Sequence, residues 1–108
     1  MYNYKNKNIG IIGLGATGRS AINFFSNYSR KIIGWDDSKT IRSNIVKGNI
    51  EILDLNIVKN LKLIDLLFIS PGIKPNHKII KLAKINNINI VGDIDIFWQK
   101  EEKNKNRF

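Results

Sequence analysis

The sequence predicts an α/β domain, a Rossmann-like open sheet of five parallel strands with helices on both faces. Short apolar runs alternate with amphipathic segments along the whole chain, the pattern of βαβ units whose sheet is covered on both sides. The stretch IGIIGLGATGRSAINFF, residues 9–25, reads as strand, glycine turn and helix in direct succession. A length of 108 residues suits one layered core and is too short for two.

The first strand is expected over Asn8–Leu14, apolar almost throughout. Thr17–Asn27 follows as the first helix, with Ala21, Ile22, Phe24 and Phe25 spaced to lay one stripe on the sheet. Lys31–Trp35 supplies the second strand. SKTIRSNIVKGN predicts a weaker second helix closing at Gly48, a residue suited to a left-handed C-terminal cap. Ile50–Leu53 is a short third strand, and DLNIVKNLKL gives a short third helix. Leu66–Ser70 forms the fourth strand. Beyond Pro75, Asn76 is placed to cap a helix over HKIIKLAKIN, whose Ile79, Ile80, Leu82 and Ala83 make a further buried stripe. Ile88–Val91 is the fifth strand. A last helix is expected to start at Asp93, run through IDIFWQKEE and give way to the polar KNKNRF, so that residues 1–99 form the domain and 100–108 a polar tail or the start of a linker.

In such a fold the ligand crevice lies outside the carboxyl ends of the strands, at the point where strand order reverses. After the first strand, Gly13-Leu14-Gly15-Ala16-Thr17-Gly18 fits G-x-G-x-x-G. Glycines there permit a tight turn, and the following helix offers N–H groups and a positive dipole end to an anion such as a diphosphate. Thr17 adds a hydroxyl; Arg19 would reach a diphosphate or face solvent. After the second strand, Trp35-Asp36-Asp37-Ser38 puts Asp36 18 residues past Gly18, where dinucleotide folds place the acid that binds ribose hydroxyls. Asp37 and Ser38 read as site residues or as a solvated turn and helix cap; Trp35 is expected to pack. After the fourth strand, Ser70-Pro71-Gly72 is a rigid turn with a hydroxyl at the crevice. His77, the only histidine, is expected to be exposed in the first turn of a helix. On these residues a nicotinamide-dinucleotide module, redox or regulatory, stands beside other nucleotide readings.

The formal charge is +9, from 18 Lys and Arg against 9 Asp and Glu, and would suit a nucleic-acid surface if it were clustered. Instead the lysines are scattered, with modest concentrations at Lys5 and Lys7 and at Lys100, Lys103, Lys105 and Arg107. Ile, Lys and Asn dominate, as in an AT-rich gene, so no nucleic-acid partner is expected. Cysteine is absent, which excludes disulfides and thiolate metal sites and fits a reducing compartment. No apolar run reaches the roughly 18 to 20 residues of a membrane span, and MYNYKNKN lacks the apolar middle of a signal peptide. A cytoplasmic chain without a membrane partner, monomeric, is the expectation.

Taken in order and at their separations, GLGATGRSA, WDDS, SPGIKPNH and VGDIDIF resemble the N-terminal domain of the Mur ligase family. The G-L-G-x-T-G, S-P-G-[IV] and G-D-I-[DE]-[IL]-F forms resemble the members that add D-glutamate rather than those that add the first alanine. The resemblance runs from about Asn8 to Gln99. It implies that the glycine turn binds a uridine diphosphate sugar rather than NAD: Gly15, Ala16, Thr17 and Gly18 at the diphosphate, Asp36 and Asp37 near the uridine, and Ser70, Pro71 and Gly72 along the nucleotide.

The same resemblance implies an ATP-dependent ligase that joins D-glutamate to UDP-N-acetylmuramoyl-L-alanine in cytoplasmic peptidoglycan-precursor synthesis. In that family ATP and Mg²⁺ are held by a central domain bearing G-T-N-G-K-[ST], and D-glutamate largely by a C-terminal domain. Neither that phosphate loop nor a metal-ligand set is found here, so no cofactor is expected in this chain, and the chain alone is expected to be inactive. Family members often carry Thr and Arg directly after the second-strand Asp; Asp37 and Ser38 stand here, with Lys39 one position later.

Overall fold

The computed structural model describes residues 4–45 and 50–92. The elements alternate strictly: β1 Asn8–Ile12, α1 Ala16–Ser26, β2 Lys31–Trp35, α2 Lys39–Ser43, β3 Ile50–Ile52, α3 Val58–Leu61, β4 Leu66–Ile69, α4 Lys78–Ile85 and β5 Asn89–Gly92. The five strands form one sheet in the order β3-β2-β1-β4-β5, every pair parallel. Order reverses between β1 and β4, which places the switch point at the end of the first strand.

Alternation along the strands distributes the core between two faces. Ile9 and Ile11 of β1, Ile32 of β2 and Leu66 and Phe68 of β4 join Leu14, Ala21 and Phe25 under α1. Ile12, Ile33 and Leu67 point the other way, to Leu55, Leu61 and Ile64 and to Ile79, Ile80 and Ala83 of α4. Ile41 places α2 on the α1 side, whereas α3 and α4 cover the opposite face. Helices on opposite faces are what right-handed crossovers require when the chain first steps β1-β2-β3 and then β4-β5 in the other direction. Phe25, fully buried, sits edge-on to Phe24, Tyr4 and Phe68 at centroid distances of 5.0, 5.1 and 6.4 Å.

Several predicted boundaries move. β1 stops at Ile12 rather than Leu14 because Gly13 turns the backbone to φ +87°, outside the extended region, although its N–H still reaches the Trp35 carbonyl at 2.9 Å. β4 ends at Ile69, one residue early, and β5 is Asn89–Gly92, one residue late. α2 closes at Asn44, whose N–H bonds back to the carbonyls of Ile41 and Arg42; Gly48 lies outside the described residues. The cap of α4 is His77, not Asn76: its Nδ1 accepts the N–H of Ile79 at 3.0 Å. The helix expected from Asp93, with Phe97 and Trp98, and the 100–108 tail lie outside the described residues. No described helix is long and apolar enough to cross a membrane.

The start of α1 depends on Gly18. A Cβ there would overlap the backbone carbonyl oxygen of Gly13, whereas one on Gly72 would meet nothing within 4 Å. Gly18→Ala is therefore expected to lower stability by roughly 1–3 kcal/mol or more, since a backbone atom has to move. Gly72→Ala should be neutral or stabilising by up to ~1 kcal/mol. Urea midpoints of the two variants check the contrast.

Candidate functional site

Three chain segments meet at the carboxyl ends of β2, β1 and β4. The centre is the glycine turn, and its geometry is set from both sides. On the β4 side, Ser70 donates its hydroxyl to the Gly13 carbonyl at 2.7 Å and is only 7% exposed. On the β2 side, Asp36 accepts the N–H of Leu14 through Oδ2 and that of Ser38 through Oδ1, both at 2.8 Å. One carboxylate thus fastens the turn after β1 to the loop after β2, with lone pairs left for a ligand.

α1 begins at this centre with its first turn unoccupied by side chains. Its N-cap is Gly15, with no side-chain cap and no acid in the first turn. Gly15 and Ala16 are exposed, Thr17 is half-buried, and Gly18 is buried against Gly13. The helix spans 11 residues, long enough to present the positive end of its dipole and free N–H groups to an anion. The other helices contrast: α2 is capped by Ser38 Oγ on Ile41 N at 3.3 Å, α4 by His77, and the uncapped α3 has only four residues. Arg19 faces solvent.

Asp36 and Asp37 are successive and act in opposite directions. Where Asp36 turns to the glycine loop, Asp37 reaches the other way: Oδ1 accepts Trp35 Nε1 at 3.0 Å, and Oδ2 lies 2.7 Å from Nε2 of His77. Nδ1 of His77 accepts the Ile79 N–H, so Nε2 carries the proton donated to Asp37. Trp35 packs, as expected, with the Arg42 guanidinium 4.3 Å above its ring, and Arg42 also donates to the Asp36 carbonyl at 2.7 Å. The expected exposed His77 is thus corrected: its side chain is 18% exposed and partnered at both nitrogens. Its partner was not legible in the sequence, because the Asp37–His77 pair spans 40 residues and no local pattern encodes it. Pro71 and Gly72 lie exposed on the turn after Ser70.

The structure therefore gathers the sequence-predicted residues at one mouth. The glycine turn with Gly15, Ala16, Thr17 and Gly18 lies between the loop of Asp36 and Asp37, bonded to it through Leu14, and the turn of Ser70, Pro71 and Gly72, bonded to it through Gly13. Among the described residues no group of three or more His, Cys, Asp or Glu could hold a metal ion.

The hydrogen bond from His77 holds Asp37 below the ordinary carboxylate range, against a smaller opposing effect of burial and with help from Trp35. A carboxylate whose folded pKa is depressed contributes stability above its unfolded value, about pH 4, and loses it as pH falls through the lower folded value. The stability gap between wild type and Asp37→Asn should accordingly be open at pH 6 and close below pH 4. Urea denaturation of both proteins across that range, beside an NMR titration of the Asp37 carboxyl, measures it.

Comparison with known proteins follows the same residues. The family model for the Mur ligase MurD-like N-terminal domain matches residues 7–92. A UDP-N-acetylmuramoylalanine–D-glutamate ligase of Buchnera aphidicola subsp. Schizaphis graminum is 40% identical over 99 residues, covering 89% of this chain and 22% of that protein. The protein of the same name from Wolbachia sp. subsp. Brugia malayi is 34% identical over 111 residues, covering 94% and 22%. That from Rickettsia bellii is 35% identical over 101 residues, covering 92% and 22%. The chain spans about a fifth of the length of these curated relatives. With most of its length matched, from the start of β1 to the end of β5, the chain belongs to the MurD-like N-terminal domain family of the Mur ligases.

Proposed function

We infer that this chain is the part of a D-glutamate-adding ligase that holds the uridine diphosphate end of UDP-N-acetylmuramoyl-L-alanine during peptidoglycan-precursor synthesis in the cytoplasm. The observation that carries the reading is the first turn of α1: in the one helix that starts at the centre of the switch point, no side chain caps the N–H groups. A diphosphate is the ligand chemistry such a turn receives best, because backbone donors and dipole act on the same charge. Membership of the family supports a sugar nucleotide over a nicotinamide one.

In this reading Gly15 and Gly18 shape the turn, Ala16 and Thr17 lie at the diphosphate, and Asp36 and Asp37 flank the uridine. Ser70 holds the turn while Pro71 and Gly72 run beside the nucleotide. The net charge of +9 favours an anionic ligand generally.

Activation of the substrate carboxylate belongs to ATP and Mg²⁺, and the residues of this chain do not fit them. The glycine turn at the start of α1 is assigned to the sugar nucleotide, no G-x-x-x-x-G-K-[ST] occurs in the sequence, and the described residues offer no metal-ligand cluster. The chain's own contribution is to bind and orient one substrate, as a monomer, while ATP and D-glutamate are handled by other domains. ADP release by the 108-residue chain with UDP-N-acetylmuramoyl-L-alanine, ATP and D-glutamate would contradict this division.

The direct test titrates isotope-labelled chain with UDP-N-acetylmuramoyl-L-alanine, UDP and NADH in turn, following backbone amides. Shifts at Gly15–Gly18, Asp36, Ser70 and Gly72 with the two uridine ligands, and none with NADH, are expected. The same residues answering only to NADH would replace the reading with a dinucleotide module.

A further inference from the structure

The contact between Asp37 and His77 differs in kind from the other ties at the mouth. Leu14 to Asp36 and Ser70 to Gly13 each join segments that follow adjacent strands. Asp37 to His77 passes over β1 altogether and joins the loop after β2 directly to the N-terminus of α4. It completes a ring: the turn after β1, the loop after β2, the cap of α4, and back through Ser70 to Gly13. Both partners are oriented before they meet. Asp37 is steadied by Trp35 Nε1, Trp35 lies under Arg42, and the imidazole is fixed by the N–H of Ile79.

The pair sits at the lip of the crevice, with the Asp37 side chain 62% exposed. Polar contacts that open to water add little to global stability. Its consequence is geometric. We propose that His77 is a positioning residue of the nucleotide crevice: by holding Asp37 from the cap of α4, it keeps the loop after β2 at a set separation from the Ser70-Pro71-Gly72 turn, so that the mouth is formed before a nucleoside diphosphate arrives. This rests on the nucleotide reading above. Asp37, like any carboxylate at or below the ordinary value, is charged at neutral pH, so the acceptor stays ionised there. A loop released from its tether would occupy the binding geometry only part of the time, and apparent affinity falls in proportion to that fraction.

The two nitrogens of His77 have separable duties, which makes the idea testable. In His77→Asn, the side-chain oxygen replaces Nδ1 as the cap of α4 but the side chain is too short to reach Asp37. In His77→Gln, the longer amide replaces the Nε2 donor and gives up the cap. Amide spectra of the ligand-free chain come first: His77→Asn should shift Asp37, Ser38 and Leu14, all remote from it in sequence, and His77→Gln should leave them near their wild-type positions. UDP titration comes second: His77→Asn should lose about tenfold in affinity with no more than the small drop in urea midpoint that Asp37→Asn shows, and His77→Gln should bind within about twofold of wild type with the larger drop that follows loss of the helix cap.

Affinity that follows the midpoint rather than the bridge, with His77→Gln weak and His77→Asn tight, overturns the positioning role. So does a ligand-free spectrum of His77→Asn unchanged at Asp37. UDP failing to bind the wild-type chain removes the nucleotide reading itself, and the role assigned to His77 with it. Binding by wild type and His77→Asn alike removes only the role.

Discussion

The whole mouth depends on one close approach, that of residue 18 to the carbonyl of residue 13. The chain leaves β1 at Gly13, where φ of +87° turns it out of the sheet, and must begin a helix within three residues. It does so by laying the first turn of α1 directly on the Gly13 carbonyl, a position open only to a residue with no side chain. From that contact follow the direction of α1, the burial of Ala21 and Phe25 on the sheet, and the exposure of Gly15 and Ala16 at the switch point. The same Gly13 carbonyl also accepts Ser70, so β4 is keyed to the turn as well.

Around this contact the polar side chains are spent on backbone groups of the neighbouring loops and helices. Asp36 supplies both oxygens to backbone N–H groups, Ser70 its hydroxyl to a backbone carbonyl, and Ser38 and His77 cap the helices on either side. Satisfying backbone groups in this way is what lets irregular loops sit partly buried at a sheet end. What remains free of side-chain partners is the start of α1, and a helix N-terminus left open beside glycines has the chemistry of an anion cradle. The arrangement separates a frame of satisfied polar groups from backbone donors at the start of α1 that no side chain caps.

Consecutive aspartates show how a strand end can serve two masters. Just beyond the end of β2, Asp36 fastens the glycine turn while Asp37 crosses to α4. The pairing with His77 gives Asp37 a structural partner of its own, across the end of β1.

The sequence by itself determined the layered parallel sheet, the order of its elements and the three strand ends that carry the site. It could do so because these properties are written locally, in apolar alternation, helical stripes and glycines at turns. Strand ends were legible to within one or two residues; two of the errors arise at Gly13 and Ser70, where the backbone changes direction while the apolar pattern continues, and β3 and β5 each differ by one residue. Only the tertiary structure decided which polar groups meet. The cap of α4 fell to His77 rather than Asn76, Ser70 turned inward to Gly13, and Asp37 found a partner 40 residues away. Such pairings depend on strand order and on how far each helix rotates over the sheet, distances set by packing of the core and absent from any local window of sequence.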